Sequence, residues 1–409
     1  MGGQVRDRPE VREVIVDLFA GPGGWDEGAK PLGLAPIGIE LAAAACATGE
    51  AAGHKRWRRD VAATDPAELA PLHGLIASPP CQGFSMAGKG NGRADSALLV
   101  RSIPHMRPHN IDAAIAWLHQ HMTDDRSVLV LEPLRWAMAT SPRWMAWEQV
   151  PAVLPLWEAS AEVLRRAGYS VATGLVHAEQ YGVPQTRKRA ILVARSDGRE
   201  ARLPTPTHSR YYPRDPQRLD EGVLPWVSMA QALEWHGSVG FPRRDDGQES
   251  IEIDGKLYRA RDLRDTNLPA QVVTEKARSW LRSRRDSPKW EAEHGARSDR
   301  TTEQPSPTWT GEGHRWHWEK MGDVYNSHGA VRDVDTPPPT LTSSMDNGNF
   351  RWHDDDREGS VRVDVWEAGV LQSFRPDYPW QGTRTQRFEQ VGNAVPPLLA
   401  RAILTEVLS

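Results

Sequence analysis

The sequence predicts an α/β protein, a doubly wound and mostly parallel sheet joined to a smaller region of irregular build. Three observations carry this. From residue 12 to 195, short β-branched runs alternate with helical stretches, the pattern of strand–helix–strand units stacked into a parallel sheet. The first such run ends in Gly-Pro-Gly-Gly ahead of a helix, the turn that opens a ligand-binding crevice in folds of this class. From about Arg199 the periodicity fades, and Pro, Arg, Asp, Gly and Trp dominate through Asp335.

In chain order, "EVIVDLFA" (Glu13 to Ala20) reads as the first strand, with a helix after its glycine turn. "APIGIE" (Ala35 to Glu40) is the second strand, leading into an Ala-rich helix from Leu41 to Ala52. A further short strand precedes Asp60 in "RRDV". "HGLIASPP" and "SVLVLEP" (Ser127 to Pro133) read as strands, as do "SVATGLVHA" and "RAILVARS". "NIDAAIAWLHQHM" and "PLWEASAEVLRRAGY" have helical periodicity, the second closing on Gly168 as a C-terminal cap. A last helix is expected from about Pro396 to Leu408. Between them lies a loose repeat of Pro, a Thr-containing run, a small-residue turn and an aromatic, at Leu268 to Trp280, Gln304 to Trp316 and Thr336 to Trp352. It is too divergent for a solenoid.

A chain of 409 residues is long enough for two or three domains. Its two cysteines cannot build a disulfide framework, and zinc-type Cys/His spacing is absent, so no metal is expected and a reducing, cytoplasmic setting is the default. The charged start "MGGQVRDRPEVREV" lacks the apolar core of a signal peptide. No apolar run approaches the roughly 20 residues of a membrane span, so no membrane partner is expected. A net charge of −4 gives no global case for a nucleic-acid partner, although an enzyme that is acidic overall can still be basic along one cleft.

Chemistry concentrates at the strand ends. The turn in "VDLFAGPGGW" offers backbone N–H groups to a ligand, and Glu40 ends the next strand where ribose hydroxyls are usually held. Asp60 stands where it could accept from an adenine amine. Each carboxylate alone reads equally well as a helix cap or a surface charge. Cys46 sits in its alanine helix as core filler, whereas Cys81 follows Pro79 and Pro80 and precedes a glycine-rich loop, the setting of a displayed nucleophile. Such a thiol, with an ordinary pKa of about 8.5, needs a cation nearby to react at neutral pH, and Arg187 and Arg189 in "VPQTRKRAILVA" could supply it. Glu132 ends the apolar run of "LVLEP" and is expected to face Cys81 as a carboxyl able to hold a proton.

Together these strings resemble the DNA (cytosine-5) methyltransferases. "DLFAGPGG" is similar to that family's cofactor motif, "PPCQGFS" to its catalytic loop and "YGVPQTRKR" to its Gln-x-Arg-x-Arg block. "DTPPPTLT" and "RFEQVGNAVPP" match its last two blocks in the family's order. The resemblance implies a Rossmann-like methyltransferase fold with a target-recognition domain. The expected division is 1–198 for the catalytic domain, 199–335 for target recognition and 336–409 for the closing motifs. It implies that Cys81 adds to C6 of cytosine, that Glu132 engages N3 and the exocyclic amine, and that Arg187 and Arg189 orient the base. S-adenosylmethionine is the implied cofactor, lined by Asp17, Phe19, Gly21, Gly23, Gly24, Glu40, Asp60, Pro80, Asn393 and Val395. Gln82, Ser85, Lys89, Gln185, Arg278 and Arg282 are the implied contacts to double-stranded DNA. The target base must leave the duplex to be reached, at a cost of a few kcal/mol. The family also suggests a monomer and a partner restriction endonuclease. Where the family usually shows Glu-Asn-Val, this chain is expected to present Glu132-Pro133-Leu134, with the carboxylate kept and the amide lost. The competing readings are an RNA cytosine methyltransferase, for which Cys46 is badly placed as a second catalytic thiol, and a DNA-binding relative without activity.

Overall fold

The computed structural model describes residues 14–80, 92–233 apart from 213 and 216, 267–270, 272–273 and 363–409, together with the backbone of short strands between 238 and 362. Contacts divide the chain into two units. One comprises residues 1–228, 269–277 and 365–409, and the other residues 229–268 and 278–364. This contact division differs from the expected limits at 198 and 335: it groups 199–228 with the first unit and runs the second to 364.

In the first unit, seven strands form one sheet in the order β3-β2-β1-β4-β5-β7-β6. They are β1 (Ile15–Leu18), β2 (Ile37–Glu40), β3 (Lys55–Arg58), β4 (Gly74–Ala77), β5 (Trp144–Gln149), β6 (Ser170–His177) and β7 (Lys188–Arg195). The first five run parallel, while β7 pairs antiparallel with both β5 and β6. The helices are α1 (Gly24–Ala29), α2 (Ala43–Ala51), α3 (Gly92–Ser102), α4 (Ile111–His119), α5 (Glu132–Thr140) and α6 (Leu154–Arg166).

Alternation along the strands builds a core on each face. Val16, Leu18, Leu75, Ala77, Met145, Trp147 and Leu192 pack on one side with Trp136, Leu156 and Trp157. Ile15, Ile76, Ala146, Ile191 and Val193 pack on the other with Trp25, Leu399, Ile403 and Leu404. After a short helix in the second unit, α7 (Met229–Leu233), the first unit closes with α8 (Val365–Leu371), α9 (Arg384–Asn393) and α10 (Pro397–Leu408). Helix α9 starts in a capping box: the Thr383 hydroxyl accepts from Gln386 N, and Gln386 Oε1 accepts from Thr383 N. The stretch Arg384–Leu408 is long enough for a membrane span and contains an 18-residue window apolar enough for one. Here it is two helices broken before Pro397, with 56% of its most apolar window packed inside the fold.

One predicted strand is not a strand. Asp125–Leu131, inside the expected run Ser127 to Pro133, is a 3₁₀ helix that continues into α5. The Asp124 side chain accepts from Arg126 N and starts the turn. Pro133 falls in the first turn of α5, where its missing N–H has no bond to lose. The strand at that level of the sheet is β5, every residue of which is buried. Covered on both faces, it shows no alternation to read.

The second unit carries short antiparallel strands. Ser238–Gly240, Arg264–Asp265, Leu281–Ser283 and Ser360–Arg362 form one four-stranded sheet. Arg300–Thr301, Trp316–Lys320, Val331–Arg332 and Phe350–Asp354 form another, and Ile251–Ile253 pairs with Lys256–Tyr258. Most of the loose sequence repeat lies outside the described residues.

Candidate active site

The site gathers at the C-terminal ends of the parallel strands. After β1 the chain turns sharply through Phe19 (φ 60°), Gly21 (φ 55°) and Gly23 (φ 115°) before α1 begins. Glu40, at the end of β2, holds this turn. Its Oε2 accepts from Gly21 N at 2.9 Å and its Oε1 from Ala42 N at 2.7 Å. Gly24 permits a close approach: a Cβ there would stand 2.0 Å from the carbonyl oxygen of Val395. Beyond β3, Asp60 Oδ1 accepts from Ala62 N at 2.9 Å and Thr64 Oγ1 donates to Asp60 O at 2.7 Å. Beyond β4, Ser78 Oγ accepts from Trp25 Nε1 at 2.9 Å.

These elements enclose a cavity of about 730 Å³. Of the residues expected around a cofactor, Phe19, Gly21, Gly24, Glu40, Asp60, Pro80, Asn393 and Val395 line it. Gly23 instead makes room for other side chains, since a Cβ there would lie 2.7 Å from both His54 Cδ2 and the Tyr378 hydroxyl oxygen. Asp17 lies outside the lining. It shares the sheet face of Ile15, fully buried, and neither carboxylate oxygen has a hydrogen-bond partner among the described residues. Burial pushes its pKa well above the usual carboxylate range, Asp26 adds to the rise, and Arg56 opposes it. Arg56 itself is committed to Asp26 through two bonds of 2.7 and 3.2 Å.

Glu148 and Gln149, at the end of β5, are the residues the sequence reading missed. Both line the cavity. Glu148 Oε1 pairs with Arg189 Nε at 2.7 Å, and the two are only 5% and 9% exposed. Gln149 Nε2 donates to the Pro79 carbonyl, and its Oε1 accepts from Val150 N. Glu148-Gln149-Val150 thus keeps the carboxylate–amide–Val order of the family's Glu-Asn-Val, and the amide holds the residue two before Cys81. Glu132 is no part of this wall. It opens α5, its Oε2 bonded to Arg135 Nε at 2.8 Å. Burial raises its pKa, against the pull of Arg135. The signal that separates the two glutamates was in the sequence: only one is followed by a side-chain amide.

The other predicted residues divide. Arg187 and Arg189 both line the cavity. Arg187, however, spends its guanidinium on backbone, donating to Gly392 O and Ala394 O at 3.1 Å and to Val273 O at 3.3 Å. Gln185, expected at DNA, is fully buried: its Oε1 accepts from Val273 N at 3.0 Å and its Nε2 donates to Leu371 O at 2.9 Å and to Gln372 Oε1. Gln372, unforeseen, donates to Val391 O at 2.9 Å and Ala394 O at 2.7 Å. Gln185, Arg187 and Gln372 together fasten the Gly392–Val395 segment to the sheet. Cys46 is buried in α2, its thiol pKa pushed up mainly by burial. Cys81, Gln82, Ser85, Lys89 and Arg278 lie outside the described residues, and of Arg282 only the backbone is described, in the strand Leu281–Ser283.

Glycine turn, strand-end carboxylates and the strand order 3-2-1-4-5-7-6 define a methyltransferase of the S-adenosylmethionine-dependent class. The family model for C-5 cytosine-specific DNA methylases matches residues 14–104 and 114–409. The type II methyltransferase M1.HphI of Haemophilus parahaemolyticus is 26% identical over 96% of this chain and 86% of its own length. M.DdeI of Desulfomicrobium norvegicum is 24% identical over 96% and 88%. A crystal structure of a Spodoptera frugiperda DNMT2 mutant shares the fold, with a TM-score of 0.51 at 12% identity over 97% of this chain and all of that one. The chain belongs to the C-5 cytosine-specific DNA methylases, and its reaction is methyl transfer from S-adenosylmethionine to C5 of cytosine in DNA.

Proposed function

We propose that this enzyme methylates a cytosine flipped out of a specific duplex sequence, with Cys81 as nucleophile, Glu148 as the carboxyl that engages the base, and Arg189 as the cation beside both. The observation that carries the assignment of Glu148 is its 2.7 Å ion pair with Arg189 in a cavity wall shared with Pro79 and Pro80. Cys81 follows Pro80 directly, and Gln149 ties that proline segment to the end of β5.

The residues divide the work as follows. Phe19, Gly21, Glu40, Asp60, Asn393 and Val395 hold S-adenosylmethionine, which supplies an electrophilic methyl group when bound. The Cys81 thiolate adds to C6 of cytosine, and the electron pair of the C5–C6 double bond moves to C5. Glu148 hydrogen-bonds N3 and the exocyclic amine, which draws charge into the ring and favours that addition. Arg189 binds O2 and keeps a positive charge near the thiolate. Once C5 carries the methyl group, water takes its proton, the C5–H electron pair re-forms the C5–C6 double bond, and the C6–S bond breaks to return the thiolate. Arg187 acts by holding the Gly392–Ala394 wall instead of touching the base. Residues 229–364 outside the first unit supply target recognition, with Arg278 and Arg282 as candidate phosphate contacts. Relatives named as type II methyltransferases support a protective role beside a restriction endonuclease. We place the enzyme in the cytoplasm and take it to act as a monomer.

The test is expression in a host lacking cytosine methylation, followed by base-resolution sequencing of its DNA. Wild type marks one cytosine in a fixed sequence context. Glu148→Gln, which keeps the shape and loses the acid, lowers turnover by about 10²-fold or more. Near-normal turnover in Glu148→Gln would remove Glu148 from the mechanism.

A further inference from the structure

Glu132, displaced from the base, still reaches the site through Arg135. The guanidinium of Arg135 has Nε on Glu132 Oε2 at 2.8 Å, while its Nη2 donates to Val61 O at 3.1 Å and Thr64 O at 3.2 Å. Those carbonyls belong to the turn after β3, which is also closed from within. Asp60 Oδ1 accepts from Ala62 N, and Asp60 O accepts from Thr64 Oγ1. Asp60 and Val61 face the cavity; Arg135 and Glu132 do not line it. The side chains of Glu132 and Arg135 are 3% and 12% exposed. A turn of backbone carbonyls is thus held from behind by one cation, and that cation is aimed by one buried carboxylate.

We propose that Glu132 and Arg135 are positioning residues for cofactor affinity: they fix residues 60–64 so that Asp60 and Val61 present one arrangement to S-adenosylmethionine. The proposal rests on reading the cavity as the cofactor site. A fixed turn binds without first losing conformational freedom, whereas a loosened one gives up affinity to ordering. Base activation sits on β5 and β7 and touches neither residue, so the effect falls on cofactor binding.

The experiment titrates S-adenosylmethionine calorimetrically into wild type, Arg135→Met, Arg135→Lys, Glu132→Gln and Asp60→Ala, with steady-state kinetics beside it. Arg135→Met, which frees both carbonyls of the turn, is expected to weaken binding about tenfold. KM for S-adenosylmethionine should rise by the same factor, with kcat moving less than about twofold. Arg135→Lys, which can still donate to one carbonyl, recovers part of the loss. In Glu132→Gln the amide oxygen still accepts from Nε, so its loss is smaller. Should Arg135→Met fail to fold, the Lys and Gln variants make the same comparison. Unchanged affinity in the Arg135 and Glu132 variants, with Asp60→Ala weakened, would overturn the positioning role alone. A fall in kcat at unchanged affinity would overturn it too. If Asp60→Ala also bound normally, the cofactor reading of the cavity would fall, and the positioning role with it.

Discussion

Gly24→Ala tests the packing that builds the cavity. The added methyl would lie 2.0 Å from Val395 O, 3.0 Å from Val395 C and 3.1 Å from Val395 N. Nonbonded carbon and oxygen need about 3.3 Å, so the two segments must part by about 1.3 Å. Every atom met is backbone, so no rotamer change can absorb the clash. Overpacking a tight site costs about 1–3 kcal/mol, and this geometry belongs at the upper end. The gain in helix propensity from Gly to Ala returns at most about 1 kcal/mol. A net loss of about 2 kcal/mol lowers the melting temperature by about 3–4 °C for a unit of this size. Gly24 and Val395 both line the cavity, so cofactor affinity falls as well. Gly222→Ala is the control: its φ of 75° carries strain, but no atom lies within 4 Å of the new Cβ. Thermal unfolding of both variants, with and without S-adenosylmethionine, reads the difference. A Gly24→Ala protein that melts and binds like wild type would refute the contact between α1 and the Gly392–Val395 segment.

Two further substitutions probe what holds the site. Arg187→Met removes a donor from each of Gly392 O, Val273 O and Ala394 O, the last keeping its bond from Gln372; it should destabilise by about 3–5 kcal/mol in a denaturant titration, and a loss below about 1 kcal/mol would show those carbonyls satisfied without it. Asp17→Asn addresses pH. Because the folded pKa of Asp17 stands well above 3.8, the native state keeps a proton that the unfolded chain releases, and stability falls as pH rises from about 4 toward that raised value. Asparagine never ionises, so variant and wild type should match near pH 4 and diverge in the variant's favour above it. The gap grows by about 1.4 kcal/mol for each pH unit crossed until the folded pKa is reached. Unfolding free energies from pH 4.5 to 8 measure it, and a constant or opposite gap would show that Asp17 is ionised in the fold.

Much of the fold was legible because its periodicity is local. Strands β1, β2, β4, β6 and β7 carry β-branched runs, and α6 ends at Gly168 with φ 92°, as a glycine cap requires. Strand β5 was not legible. Trp144, Met145, Trp147, Glu148 and Gln149 are not β-branched, and burial on both faces removes the alternation that marks a strand. The Val-Leu-Val-Leu run before Glu132 satisfied the strand pattern better, yet it lies between an Asp cap and a first-turn proline and is drawn into helix. That one exchange is why the sequence points to Glu132 on α5, whereas the glutamate that lines the cavity is Glu148 on β5. The cavity wall was readable because its residues fall within short contiguous strings. Gln372 was not, since its partners Gln185, Val391 and Ala394 are brought to it only by tertiary structure.

The same long-range bonds explain why the last block of sequence is inseparable from the first. Asn393 and Val395 complete the cavity, but the Gly392–Val395 segment runs from the last turn of α9 toward α10 with no strand partner among the described residues. Backbone groups there must find donors elsewhere or lose stability. Arg187 supplies Gly392 O and Ala394 O, and Gln372 supplies Val391 O and Ala394 O. Gln185 in turn holds Gln372, from the same β6–β7 connection that delivers Arg189 to Glu148. The Gln-x-Arg-x-Arg block therefore works in two directions. Its Gln and first Arg hold the cavity wall proposed for the cofactor, while its second Arg reaches the carboxylate at the end of β5. A change in the first pair should register in cofactor binding before it registers in base chemistry.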